Sequence, residues 1–176
     1  MKTIDTIAAN IMDDSIQSIQ IAPNGVVTEI YPEERNESSK IDLINDSGMG
    51  EISRYARDND TVIIQGPLEL KQGGYGIAVS NPVYLEDENG KKSFWGFTIV
   101  ILKVPEIFSD SVEALSNFGY KYSLQKCASP WDDTYEWVYG SKKELNDPVI
   151  YDFDVYRDKW RLEILPKSGF YNNNST

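Results

Sequence analysis

Histidine is absent from this 176-residue chain. The usual general base near neutral pH and the commonest transition-metal ligand are therefore missing. Cysteine occurs once, at Cys127. No intramolecular disulfide can form, and one thiol without histidine makes neither a zinc site nor a Cys-His nucleophile. A single cysteine fits a cytosolic protein and an exported bacterial domain equally well. Basic residues are outnumbered 17 to 28, giving a net charge of −11. An acidic surface repels phosphate backbones and anionic lipid, which argues against nucleic acid and direct membrane docking. No apolar run reaches the ~18 residues that span a bilayer, and no signal peptide is evident.

What is present suffices for a folded core. The chain is 40% hydrophobic and 12% aromatic, so disorder is excluded as a general reading. Its length suits one domain or two small ones. Met1 leads directly into a helical pattern, and Tyr171 to Thr176 is a polar tail with nothing to pack. The expectation is an excised portion of a longer chain, with a disordered tail at 171–176.

Ile4, Ile7, Ala8 and Ile11 form one apolar helical stripe. Ile16 to Ile21 and Val26 to Tyr31 flank Pro23-Asn24-Gly25, a hairpin signal. Glu33 to Lys40 reads as polar loop. A second helix is predicted over 47–58, with Met49, Ile52, Tyr55 and Ala56 inward. A strand over 61–65 is expected to close at Gly66-Pro67, with 68–71 short and extended and a turn at Gln72-Gly73-Gly74. Longer strands at 76–84 and 94–103 should pair across Asn89-Gly90. A helix at 112–118 and strands at 121–126, 135–139, 149–155 and 160–165 follow, the last two joined across Arg157-Asp158. This order is α+β with an antiparallel sheet, not an alternating parallel fold.

Side chains alternate faces along a strand. Gly76, Ala78 and Ser80 are small on one face, while Ile77 and Val79 are β-branched on the other. The partner strand repeats the contrast: Gly96 and Thr98 are small, and Trp95, Phe97, Ile99 and Ile101 are large. If the small sets coincide, one sheet face is nearly bare and leaves a hollow for other chain or a ligand, with Ser80 and Thr98 supplying hydroxyls. The competing reading is that helices fill the hollow, or that the glycines mark bulges.

Other chemistry is weakly signalled. Asp13-Asp14, Glu33-Glu34 and Asp132-Asp133 are sequence neighbours that read as solvated surface rather than paired glycosidase carboxylates. Asp87-Glu88-Asn89-Gly90 lacks calcium-loop spacing and reads as a turn. Gly73-Gly74-Tyr75-Gly76 has no following lysine or helix to hold phosphate. Trp131, Trp137 and Trp160 read as core. No catalytic residue, metal or cofactor is expected.

A series of motifs resembles the CHASE family, the extracellular sensory domain of bacterial histidine kinases and diguanylate cyclases and of plant cytokinin receptors. They are Val26-Val27-Thr28-Glu29-Ile30-Tyr31-Pro32; Lys40-Ile41-Asp42-Leu43; Gln65-Gly66-Pro67-Leu68-Glu69-Leu70 with Gly73-Gly74; Gly76 to Tyr84; Phe94-Trp95-Gly96-Phe97; and Trp160-Arg161-Leu162 with Pro166 and Gly169. The resemblance covers residues 16–103 well and 104–170 loosely.

It implies the end of a stalk helix at 1–15, a membrane-distal PAS-like sensor domain at 16–103 and a smaller membrane-proximal PAS-like part at 104–170. It also implies a small-molecule ligand, a homodimer, and a place on the extracellular or periplasmic face of a membrane. In plant members an aspartate, a leucine backbone and a threonine hold an adenine-type ligand. By position these fall on Asp42, Leu70 and Ser80, the last departing from threonine, so a cytokinin is not the expected ligand. With the small residues that alternation picks out, the expected site is Asp42, Leu70, Gly76, Ala78, Ser80, Gly96 and Thr98. Asp42 suggests a ligand with an N–H or ammonium group, unless it caps the helix that follows. Three rivals stand beside this reading: a sensor of protein partners or a dimerisation module, a carboxylate hydrolase, and a cytosolic PAS-like regulator.

Overall fold

A computed structural model describes residues 3–33, 41–71 and 73–168. The chain divides into two compact units, residues 1–103 and 104–176. Both are built around an antiparallel sheet. The polar loop and the terminal tail expected from the sequence fall largely or wholly at 34–40 and 169–176, outside the described residues.

The first unit begins with helix α1 (Thr3–Ile11). Its stripe is only partly used. Ala8 is buried, while Ile7 and Ile11 are 60% and 53% exposed. Strands β1 (Ile16–Pro23) and β2 (Glu29–Tyr31) pair antiparallel. Asn24 and Gly25 turn the chain with φ of 54° and 84°, the left-handed values a tight hairpin needs. The second strand is shorter than the apolar run suggests, because Val26 bridges to Asp42 instead.

Helix α2 (Gly50–Asp58) starts three residues later than its periodicity predicts. The cause lies in two aspartates. Asp42 Oδ1 accepts from the N–H groups of Ile44 and Asn45, and Asp46 Oδ1 from those of Gly48 and Met49. Such side-chain-to-backbone bonds hold residues 42–49 in successive turns and compete with helix. Once begun, α2 has Glu51 in its first turn and Arg57 in its last, matching the helix dipole.

Strand β3 (Ile63–Glu69) runs through Gly66-Pro67 and does not close there. The pair forms a bulge against β4 (Tyr75–Glu86), between Gln65 and Leu68. A bulge accommodates a proline that cannot donate to the ladder. β4 and β5 (Lys92–Val104) are joined by a turn in which Asp87 Oδ1 accepts from Asn89 and Lys91. The sheet order is β2-β1-β5-β4-β3. Its core is Ala22, Val27, Leu43, Ile52, Ala56, Ile63, Ala78, Phe97 and Ile99, joining the sheet to α2 and the turns before it.

The second unit opens with a 3-10 turn (Glu106–Phe108) and α3 (Ser109–Asn117). Strands β6 (Tyr120–Cys127), β7 (Tyr135–Gly140), β8 (Val149–Val155) and β9 (Asp158–Pro166) make a sheet in the order β7-β6-β9-β8. The β8–β9 turn falls at Tyr156-Arg157, and Asp158 already belongs to β9. The fold is α+β, two antiparallel sheets with few helices, and PAS-like as expected.

A candidate ligand site between the sheet and α2

One side of the first sheet faces α2. Ile63 pairs with Ser80, Gln65 with Ala78, and Leu68 with Gly76, so these residues share a side. Ile63 and Ala78 belong to the core with Ile52 and Ala56 of α2, which identifies the side. Tyr84 lies on the same alternation as Ser80, and its hydroxyl donates to the carbonyl of Arg57 at the end of α2. That bond fastens the helix to β4.

The small faces of β4 and β5 do not coincide. Ala78 packs in one cluster with Phe97 and Ile99, the large residues of β5. A Cβ built on Gly76 would lie 2.8 Å from Leu70 Cδ2 and 3.1 Å from Ile101 Cγ2. By alternation Thr98 and Gly96 therefore lie on the opposite face. The physical reason is register: Phe97 and Ile99 bury most area when they face α2, and that places the small residues of β5 outward. The seven residues expected to form one site thus divide. Gly76, Ala78, Ser80 and Leu70 come together on the α2 side, and Gly96 and Thr98 do not join them.

Gly96 has a packing reason for its size. A Cβ there would lie 2.2 Å from the Ala22 carbonyl oxygen, where β1 crosses beside β5. At the Gly76 end of the α2 side, the room left by glycine is taken by Leu70 and Ile101. The two polar groups of the Leu70 backbone are also engaged. Its N–H donates to Gly74 O at 3.0 Å, and its carbonyl accepts from Gly73 N at 2.8 Å.

Asp42 sits half-buried at the edge of this layer. Beside the two N–H donors on Oδ1, Oδ2 accepts from the Asn45 side chain at 2.8 Å. The Asn45 side chain, followed by its N–H, holds the Asp42 carboxyl below the usual carboxylate range. Met49 and Gly48 N–H groups do the same for Asp46. A lowered folded value stabilises the fold above the unfolded pKa, and that contribution is lost as pH falls through the folded value. Acid titration below about pH 4 should therefore loosen the 42–49 turns. Asp42→Ala is expected to lower the thermal midpoint at pH 7 and to flatten its fall in acid, as followed by circular dichroism. An unchanged acid limb would remove Asp42 from the turn's stability.

Ser80 completes the geometry. It is 5% exposed, and its hydroxyl makes no hydrogen bond among the described residues. A hydroxyl in that condition keeps hydrogen-bonding capacity for a water or a ligand atom. The room beside Gly76 is filled by Leu70 and Ile101, and Ser80 lies four residues further along the strand.

Residues 4–126 match the CHASE domain. The chain belongs to the CHASE family. The match extends from α1 through the first unit and α3 into β6. Among solved structures, an extracellular ligand binding receptor from Desulfohalobium retbaense DSM5692 has a similar fold, with a TM-score of 0.60 at 12% identity. The likeness covers 92% of this chain and 32% of that receptor, so the chain spans about a third of its length. No curated protein matches.

The remaining motifs of this CHASE chain have local roles. Asp13 accepts from the Ser15 N–H and hydroxyl. Asp132 accepts from the Ser129 hydroxyl, and Asp133 from Lys159. Of the three tryptophans of the second unit only Trp160 is core, edge-on to Phe108 and stacked near Phe153. Trp131 is 47% exposed, and Trp137 carries Lys142 over its ring at 4.3 Å. Among the described residues no cluster of carboxylates or cysteine could hold a metal, and no helix is long and apolar enough to cross a membrane. Sequence reasoning missed Ser53. It is a polar residue four positions after Met49 on the inner face of α2, and it is 3% exposed. Its helical spacing was the available signal.

Proposed function

We propose that this CHASE domain is the ligand-sensing region of a transmembrane signalling receptor, and that its ligand is a small molecule seated between the first sheet and α2 at Ser80. The observation that carries the reading is the Ser80 hydroxyl, nearly buried yet without a hydrogen-bond partner among the described residues. Ala78 and Gly76 continue the seat, with Leu70 and Asp42 at its margins. Because Leu70 and Ile101 close the Gly76 end, a guest larger than the space at Ser80 displaces Leu70 or lifts α2. A ligand moves an equilibrium only by binding one state better. Here the favoured state is the one with α2 displaced. α1 packs on β2 in the same unit. A shift of the helix layer against the sheet is relayed through α1 to the membrane segment and on to a histidine kinase or diguanylate cyclase in the cytoplasm. The receptor works as a homodimer on the extracellular or periplasmic side.

Thermal-shift screening of the 176-residue chain against a metabolite panel tests this. A ligand at a hundred times its dissociation constant should add ~2.7 kcal/mol of stability. Ser80→Ala, which removes one hydrogen bond, should weaken that ligand by roughly 2- to 10-fold. A stabilising metabolite indifferent to Ser80→Ala would place the site elsewhere. A second reading rests on the exposed Ile7 and Ile11 of α1: a dimerising or protein-sensing ectodomain with no small ligand. A panel in which nothing shifts the midpoint favours it.

A further inference from the structure

One edge of the second sheet carries an open strand. β8 is last in the order β7-β6-β9-β8, so among the described residues only β9 bonds to it. Every second residue of such a strand directs its N–H and carbonyl away from the sheet. Edge strands are ordinarily protected by proline, lysine or a bulge. β8 holds neither proline nor lysine, and its register with β9 runs from Val149 to Val155 without a bulge. Val149, Ile150 and Tyr151 are all more than half exposed. A continuous, exposed, partly apolar edge of this kind is a template for another strand.

The two faces of β8 differ. Pairing with β9 puts Val149, Tyr151 and Phe153 on the side of Ile164, Leu162 and Trp160. Ile150, Asp152 and Asp154 share the other side with Glu163, Arg161 and Lys159. The first side is apolar, with Tyr151 stacked near Phe153 and Phe153 near Trp160. The second is acidic in effect, because its cations are taken. Arg161 donates to both oxygens of Asp152, and Lys159 pairs with Asp133. Asp154 and Glu163 make no hydrogen bond or ion pair among the described residues. Glu163 and Ile150 also line a recess of 430 Å³ with Glu144 and Asp147, and no lysine or arginine lines it. These charges select the occupant. A second copy paired about Asp152 would set that carboxylate against its own counterpart, in a chain of net charge −11. Like charges directly opposite destabilise a strand pair. An extended segment with apolar residues at alternate positions and lysine or arginine between them suits both faces at once.

We propose that the β8 edge is a docking strand for a basic partner protein. The partner adds an extended segment to the sheet, with its apolar residues beside Tyr151 and Phe153 and its cations against Asp154 and the carboxylates of the recess. This surface belongs to the second unit and does not depend on the ligand site assigned at Ser80.

The test uses the full chain and a fluorescein-labelled, end-capped peptide of alternating lysine and valine, matching the seven residues of β8. Anisotropy is read at about 0.15 M salt, where attraction between exposed charges is screened beyond ~8 Å. The lysine peptide should bind, and the same peptide with glutamate for lysine should not. Asp154→Lys should weaken binding roughly tenfold. Glu88→Lys, the same charge change on the exposed turn between β4 and β5, should weaken it less than about twofold. A lysine peptide N-methylated at every residue cannot donate to the ladder and should bind roughly tenfold or more weakly. No binding up to about 1 mM chain overturns the proposal. Equal weakening by Asp154→Lys and Glu88→Lys also overturns it, since only overall charge is then being read, and so does full binding of the methylated peptide. Sedimentation of the chain alone covers the other occupant: a dimer abolished by Ile150→Lys makes the partner a second copy and overturns the basic one. If Asp154→Lys loses its cooperative melt, Ile150→Lys, exposed on the same side of β8, replaces it with the same weakening expected. Full peptide binding by that variant overturns the proposal.

Discussion

Asp158→Ala is expected to destabilise the second unit by about 3–5 kcal/mol. Lys126 is 1% exposed and Asp158 is fully buried, with Nζ 3.8 Å from Oδ1. The ammonium also donates to Cys127 O at 2.6 Å. Removing the carboxylate leaves a buried cation with little to offset its lost hydration, and the penalty of that charge dominates the loss. The double variant Lys126→Met/Asp158→Leu removes both charges and keeps the volume apolar, so it should recover most of the loss. Urea denaturation followed by tryptophan fluorescence suits the test, since Trp131, Trp137 and Trp160 lie in the second unit. A loss near that of an exposed pair, under about 1 kcal/mol, would show that water reaches the pair.

The same lysine fixes a sign in alkali. Burial pushes the Lys126 ammonium below its ordinary 10.5, with Asp158 opposing. As pH rises from that lowered value toward 10.5, the folded chain gives up this proton before the unfolded chain does. The unfolded state then binds more protons, and stability from this group rises with pH. The gain is complete above the unfolded value. Tyr84 and Tyr122, raised by burial, act in the opposite direction. The difference between the parent chain and Lys126→Met isolates the lysine.

Much of the fold was legible because turn chemistry is local. Asn24-Gly25 and Asn89-Gly90 mark hairpins that the structure contains, and the apolar periodicity of 49–56 marks α2. What was not legible depended on relations between strands. Alternation reveals which residues of β4 share a face, and likewise for β5, but not which face of one meets which face of the other. A slip of one residue exchanges them. Phe97 and Ile99 decided the matter by facing α2, and so Thr98 and Gly96 left the expected site. Lys126 and Asp158 were equally silent, since nothing in either segment announces a partner in another strand.

The two glycines of the small-residue pattern should now separate by experiment. Gly96→Ala places a methyl 2.2 Å from Ala22 O, 2.8 Å from Pro23 Cα and 2.9 Å from Ala22 C. All three are backbone atoms of β1, which is bonded to β5 along its length. They can retreat only by parting the two strands. The expected loss in the first unit is about 3 kcal/mol, the upper end of ordinary overpacking. Gly76→Ala meets Leu70 Cδ2 first, at 2.8 Å, with Ile101 Cγ2 at 3.1 Å and Leu102 O at 3.2 Å. A leucine tip can rotate, so the loss should be distinctly smaller, and Leu70 should swing out of the hollow. Thermal unfolding of the two variants by far-ultraviolet circular dichroism gives the comparison. If Gly76→Ala proves as damaging as Gly96→Ala, Leu70 is locked and cannot yield to a guest at that end. A tolerated Gly76→Ala leaves the Leu70 plug movable, which ligand entry between the sheet and α2 requires.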